Sequence, residues 1–271
     1  MPLVTISGRN QGQVLVQSEL AAAMRLAGAK ILECREQGNT GGKWEYTQFK
    51  AEADLIADNC LRVELRRIAD MPIVSEEDVA SQSVDRPAEY WLIDPIDGTA
   101  SFAQGFPGFV SQAAWIRCGQ PWVAAVYAPA LKRLYMAKQG KGATVNGQPM
   151  SVRACSRQQL TLVDNYPKPR GAAERIFRDL HCAKYLESGS IGLKICLVAE
   201  GTADIFVKDV YLRDWDVAAP HLVLQEAGGF LTQFEGLSFE YSGSYEKQGV
   251  VAVSSLELLR EINRIVAGYV T

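Results

Sequence analysis

The 271-residue chain has only two histidines, His181 and His221. That scarcity weighs against a site built from several histidine ligands and against a phosphohistidine intermediate. His221 sits in an apolar helical stretch and reads as a packed side chain. The six cysteines, Cys34, Cys60, Cys118, Cys155, Cys182 and Cys196, are scattered and form no Cys-x-x-Cys pair. They read as reduced, mostly buried thiols in a cytoplasmic protein. No Gly-x-x-x-x-Gly-Lys loop is present to hold a nucleoside triphosphate. No apolar run approaches the length of a membrane span. The start, Met1 to Gln13, is polar and lacks the apolar core of a signal peptide. A net charge of −3 gives no electrostatic footprint for nucleic acid. The expectation is a cytoplasmic globular protein without membrane or nucleic-acid partners, long enough for two subdomains sharing a large core.

The richest stretch runs from Trp91 to Thr99, Trp-Leu-Ile-Asp-Pro-Ile-Asp-Gly-Thr. Trp91 to Ile93 reads as the end of a buried strand. Asp94 and Asp97 follow, too far apart for the Asp-x-Asp nucleophile pair of some phosphatases. Pro95 restrains the backbone and Gly98 permits a sharp turn, so the two carboxylates are expected to face one point. Carboxylates held that close repel, and one is driven to protonate unless a cation intervenes. An all-oxygen donor set suits Mg²⁺ better than zinc. Thr99 adds a hydroxyl where a helix can begin, and free N–H groups there favour an anion. Together these are parts for phosphate-ester chemistry. The competing reading is an ordinary turn, because Asp-Pro and Asp-Gly are common turn formers and Thr is a common N-cap.

Along the chain, Val16, Leu20, Met24, Ala27 and Ile31 predict a helix over 14–37. A short strand is expected over 43–50, where Trp44, Tyr46 and Phe49 stand, and a second helix over 52–69. Asp54 falls in the first turn of that helix, where a carboxylate also simply complements the helix dipole. Pro72-Ile-Val74 predicts a strand leading into Ser75-Glu76-Glu77-Asp78. Two strand ends carrying acids could then meet. Segments 110–117, 121–128 and 133–137, with the Asn146-Gly147 hairpin signal, predict an antiparallel meander. Polar residues 153–159 mark a boundary between subdomains 1–152 and 153–271. Beyond it, strands at 160–163, 203–207 and 249–253 alternate with helices at 172–180, 193–200, 217–227 and 255–267, an α/β layer. Ser188-Gly189-Ser190-Ile191-Gly192 precedes one of these helices and could cradle a phosphate or merely cap it. Asp216 is placed at the N-cap of the 217–227 helix, with Pro220 where a missing N–H costs little.

These motifs resemble the inositol monophosphatase superfamily. The matching residues are Asp94-Pro-Ile-Asp-Gly-Thr99, Trp215-Asp-Val-Ala-Ala219 with Glu226-Ala-Gly-Gly229, Ser75-Glu-Glu77, Gly140-Lys-Gly-Ala143 and Cys196-Leu-Val-Ala199. The resemblance covers nearly the whole chain after residue 15. It implies an α/β five-layer α-β-α-β-α sandwich of the inositol monophosphatase and fructose-1,6-bisphosphatase type. It also implies an Mg²⁺-dependent, lithium-sensitive phosphomonoesterase that uses two or three ions. Carried over, Glu76, Asp94, the Ile96 carbonyl, Asp97 and Asp216 are the metal ligands. Asp54, Thr99 and Glu76 are the catalytic residues, with Thr99 and Asp54 sharing the water-activating site. Asp97, Gly98, Thr99, Gly189, Ser190, Lys194, Asp209 and Asp216 are the substrate contacts. One departure is Ala51, where relatives usually carry a Thr three residues before the Asp54 position.

Two substrates compete. Pro72-Ile-Val-Ser-Glu-Glu-Asp78 and Leu193-Lys-Ile-Cys-Leu-Val-Ala-Glu-Gly201 resemble 3'(2'),5'-bisphosphate nucleotidases, and Lys194, Lys208 and Arg213 could neutralise a second phosphate. Asp209, seven residues before Asp216, matches the acid that binds ring hydroxyls in inositol monophosphatases, or is a surface partner of Lys208. A regulatory protein that binds transcription machinery is the alternative from another class. The expected partner is a small phosphate ester, and a homodimer is compatible with the resemblance.

Overall fold

The computed structural model describes residues 7–38, 41–45, 48–83 and 85–268, with 7–14, 42–45 and 48–51 described by backbone alone. Tyr46 lies outside the described residues. Among them the chain forms two helices, α1 (Ser7–Glu36) and α2 (Glu52–Ile68), around the hairpin β1 (Gly42–Glu45) and β2 (Gln48–Ala51). The predicted apolar stripe of α1 is real: Leu20, Met24, Ala27 and Ile31 are all fully buried.

The next strands, β3 (Ile73–Ser75), β4 (Glu89–Asp97), β5 (Val110–Arg117), β6 (Gln120–Ala128), β7 (Arg133–Lys138), β8 (Ala143–Val145) and β9 (Gln148–Met150), form one seven-stranded sheet in sequence order. Only β3 and β4 pair in parallel; the rest are the predicted meander. Between β4 and β5 lies the five-residue helix α3 (Thr99–Ala103).

The last strands, β10 (Thr161–Asp164), β11 (Lys184–Glu187), β12 (Ile205–Arg213), β13 (Phe230–Thr232) and β14 (Glu246–Val253), make a second sheet in the order β11-β10-β12-β14-β13. Its first three strands are parallel, and β14 runs against β12 and β13. Helices α4 (Gly171–Asp179), α5 (Ile191–Ala199), α6 (Asp214–Glu226) and α7 (Leu256–Ala267) connect or follow them.

Side-chain alternation sorts these elements into five layers. On β4, Trp91 and Ile93 pack with Leu20, Met24, Leu61 and Leu65 of α1 and α2. Tyr90 and Leu92 face the other way, into a core shared with α5, α6 and Phe206 of β12. Ile205 and Val207, the neighbours of Phe206, join the third core with Ile176 of α4 and Leu258 and Ile262 of α7. The order is therefore α1/α2, seven-stranded sheet, α5/α6, five-stranded sheet, α4/α7, as the resemblance implies. The polar segment after β9 is tied down, because Arg153 pairs with the fully buried Asp204, which also accepts the Thr161 N–H at 2.7 Å.

Two sequence expectations are corrected. The strand predicted to end at Ile93 runs on to Asp97, with an irregularity between Asp94 and Asp97. Helix α6 starts at Asp214, so Asp216 is its third residue rather than its N-cap. Extended pairing of β12 with β14 carries the chain straight to Arg213, leaving no room for a loop before the helix. Pro220 consequently lies in the helix interior, where its missing N–H does leave a carbonyl without its helical partner.

The Gly140-Lys-Gly142 turn and Glu226 meet in space. The Glu226 carboxylate accepts the backbone N–H groups of Gly140, Lys141 and Gly142 at 2.7, 3.0 and 2.7 Å. The turn is thereby fastened to the end of α6. Glu226→Gln keeps an acceptor but removes the charge, and is expected to cost about 1–2 kcal/mol of stability. Thermal unfolding should show a lower Tm, and steady-state kinetics an unchanged kcat.

Candidate active site

Asp94 and Asp97 could not share a face on a regular strand, since residues three apart point to opposite sides. The register shows how they do. Asp94 pairs with Gln112 and Asp97 with Val110, so β4 spends one residue more than β5 over this interval. This β-bulge, which contains Pro95, restores parity and turns both carboxylates to the α5/α6 side. Gly98, at φ 90°, then turns the chain into α3.

Glu76 arrives by the neighbouring strand. Ser75 of β3 pairs in parallel with Ile93, and the Glu76 N–H donates to the Ile93 carbonyl at 3.3 Å. Glu76, just past the end of β3, is thus set alongside Asp94, which lies within β4. Asp216 comes from the opposite layer. Its Oδ2 accepts the Arg213 N–H at 2.7 Å, which fixes the carboxylate at the start of α6.

Each of these groups senses the others. Burial, then Asp216, Glu77 and Asp54, push the Glu76 carboxyl well above its ordinary range. Burial, then Glu76, Asp97 and Asp216, do the same to Asp94. Burial and Asp97 push Asp216 to about 7. Asp97 is also raised by burial, though the Gly192 N–H, Lys194 and the Ile191 N–H oppose this. Clustered carboxylates that destabilise one another's charge call for a cation.

Among the described residues no group of three or more His, Cys, Asp or Glu side chains stands as a ready-made ion cage. The donor chemistry nevertheless fits Mg²⁺. The set is all oxygen, and buried Asp94 Oδ1 has no hydrogen-bond partner among the described residues. The Ile96 carbonyl lies 2.9 Å from Thr99 Oγ1 and, with two lone pairs, can still face an ion.

Thr99 Oγ1 also lies 3.2 Å from Asp54 Oδ1, with Asp54 buried in the first turn of α2. Asp54, which its local sequence gives only a dipole role and the resemblance pairs with Thr99, thus touches the hydroxyl 45 positions away. The Ser188–Gly192 segment caps α5 and also borders the open cavity beside the cluster. Ser190 accepts the Leu193 N–H at 3.1 Å, while Asp97 takes the Gly192 and Ile191 N–H groups at 2.6 and 3.3 Å. A Cβ on Gly189 would run into the Gly108 carbonyl, which explains glycine there.

An open cavity of about 820 Å³ adjoins the cluster, lined by Asp97, Gly98, Gly189, Ser190, Lys194 and Lys208 among others. It lies beyond the carboxyl ends of parallel strands β10 and β11, where open α/β sheets bind ligands, and beside Lys208 within β12. Lys194 is buried, donates to the Gly189 carbonyl, and is pushed down to about 8 by burial. Lys208 Nζ bridges Asp164 and Asn165 at 2.9 and 2.6 Å. Asp209 does not share this cavity. It is exposed, accepts from Gln248 at 2.7 Å and borders an adjoining hollow that shares Tyr166, Lys208 and Val210 with the cavity. Arg213 is paired with Glu246 at 2.5 Å. His221 is packed, as expected: its Nδ1 meets the Tyr241 hydroxyl at 2.8 Å, and burial pushes it to about 4. Sequence reasoning missed Gln112, Tyr166 and Phe106, whose neutral side chains carry no motif signal.

The sequence pattern of the inositol monophosphatase family matches residues 13–270. The 3'(2'),5'-bisphosphate nucleotidase CysQ of Salmonella typhimurium is 33% identical over 200 residues, covering 70% of this chain and 78% of that protein. A fructose-1,6-bisphosphatase/inositol-1-monophosphatase of Aquifex aeolicus is 31% identical over 230 residues, 79% and 84% of the two chains. The crystal structure of the extragenic suppressor protein suhB from Bartonella henselae superposes with a TM-score of 0.78 at 24% identity, covering 93% of this chain and 98% of that one. The chain belongs to the inositol monophosphatase family and is a hydrolase of phosphoric monoesters.

Proposed function

We propose that this enzyme removes the 3'-phosphate of a nucleoside 3',5'-bisphosphate, with Mg²⁺ as cofactor. The observation that carries the substrate is the composition of the main cavity. It joins the carboxylate cluster to Lys194 and Lys208, and to the aromatic side chains Tyr166 and Phe106. A second phosphate needs cations outside the metal cluster, and a base needs a flat apolar surface. Asp209, the acid suited to inositol hydroxyls, is engaged by Gln248 and lines the adjoining hollow rather than this cavity. The CysQ relative carries the same activity in its name.

Glu76, Asp94, the Ile96 carbonyl, Asp97 and Asp216 would hold the metal. When bound, Mg²⁺ neutralises the ester and acidifies a water for attack. The protein supplies orientation. With its proton directed to Asp54 Oδ1, Thr99 Oγ1 offers lone pairs that can accept from a water and aim it in line with the scissile bond. Lys208, at the cavity wall, meets the distal phosphate. Lys194 lies deeper and offsets the charge of Asp97.

Phosphate release with Mg²⁺ should be compared over 3',5'-bisphosphate nucleotides, inositol phosphates and fructose 1,6-bisphosphate. The bisphosphate nucleotide is expected to give the highest kcat/KM; a higher value for inositol phosphate overturns the substrate.

Three variants test the residue roles. Asp97→Asn should fold, by circular dichroism, yet lose most activity, since it deletes charge from the shared donor set. Thr99→Ala should lower kcat about 10²-fold at saturating Mg²⁺ while Mg²⁺ affinity is kept. Lys208→Met should raise KM for the bisphosphate nucleotide about 10-fold and leave inositol-phosphate hydrolysis unchanged, as removal of a charge-assisted hydrogen bond predicts.

A further inference from the structure

Gln112 lies on β5 directly opposite Asp94, is 1% exposed, and faces α6. Its Nε2 is 3.5 Å from Asp94 Oδ2, 3.5 Å from Asp97 Oδ2 and 3.2 Å from the Asp216 carbonyl. One amide therefore reaches three of the residues that would hold the metal, and they come from both sides of the site.

The contact to Asp216 has a cause in the sequence. In a regular helix the carbonyl of residue 216 would accept the N–H of residue 220. Residue 220 is Pro220, which has none. The freed, part-buried carbonyl is left for another donor, and the Gln112 amide supplies it at 3.2 Å. Space for the amide is also specific: a Cβ on Gly192 would fall 2.6 Å from Gln112 Oε1 and 3.0 Å from Asp97 Oδ2.

We propose that Gln112 is a positioning residue of the metal site, a reading that rests on the Mg²⁺ assignment above. Its amide approaches one oxygen of each aspartate. Asp94 Oδ1 is left without a hydrogen-bond partner among the described residues and is available to an ion. The amide donates without adding charge, which a lysine in its place would do. By holding the Asp216 carbonyl as well, it sets the first turn of α6 against the end of β4.

The test is calorimetric titration of Mg²⁺ into wild-type protein and Gln112→Met, a side chain of similar length without a donor. Gln112→Met is expected to raise the Mg²⁺ Kd by about 10-fold or more, the usual effect of removing a group that orients metal ligands. It should also lower kcat at saturating Mg²⁺ with KM for nucleotide little changed. Folded Gln112→Met with wild-type Mg²⁺ affinity overturns the proposal, as does a lower Tm with Kd and kcat unchanged. Should Gln112→Met not fold, Gln112→Glu decides, because it keeps the shape and sets a further carboxylate against Asp94 and Asp97. The metal-free Gln112→Glu protein should melt lower, and its Mg²⁺-induced rise in Tm should exceed that of the wild type; an equal rise overturns the proposal. Wild-type protein that binds no Mg²⁺ overturns the metal assignment and this proposal together, whereas unchanged affinity in the variant overturns this proposal alone.

Discussion

Carboxylate crowding is the constraint to which the rest of the structure answers. Burial and neighbouring carboxylates raise the proton affinity of Glu76, Asp94 and Asp216, and burial raises that of Asp97 beside them. Such an arrangement works against folding unless donors and cations offset it. The protein does so partly from its own resources: the first N–H groups of α5 and the Lys194 ammonium offset Asp97, and the Arg213 N–H holds Asp216. What remains uncompensated, most plainly at Asp94, is the part that suits a divalent ion.

The fold supplies these carboxylates from separate layers, so their spacing depends on how firmly the layers are joined. Several buried polar contacts do this. Arg86, just before β4, pairs with the fully buried Asp214 at 2.6 Å and stacks over Tyr245 at 3.7 Å. Burial still pushes Asp214 up to about 6. That cost argues that the pair specifies how α6 docks rather than adding much stability. Glu226 performs a comparable task at the far end of the same helix, where it gathers three backbone N–H groups of the 140–142 turn. The helix that delivers Asp216 is thus held at both ends.

The substrate cavity follows from topology. Parallel strands β10 and β11 end side by side, and Asn165 and Ser188 follow them to line the cavity together with Lys208 of the longer β12. The carboxylate cluster belongs to the facing sheet. An ester bound between them would meet the acids on one side and lysines and aromatic rings on the other, a division that suits a molecule with two phosphates and a base.

Several features were decided by local sequence alone. The meander, the α/β alternation and the apolar stripes of α1 and α2 are legible because strand and helix burial repeat over short distances in the chain. The Asp94–Thr99 run carries its chemistry in consecutive residues and is legible for the same reason. Other features depended on contacts between distant residues. Local reading gave Asp54 a dipole role, and only packing of α2 against β4 brings it to Thr99. The helix of Asp216 was begun too late, because the long β12–β14 pairing that carries the chain to Arg213 is non-local. Pro220 read as harmless until that start moved it into the helix interior. Whether Ser188–Gly192 cradles an anion or caps a helix depended on Asp97, nearly a hundred residues away, claiming its N–H groups. Gln112 carries no charge and no motif, so its place among the carboxylates is set only by the register of β5 against β4 and by the helix that packs across them.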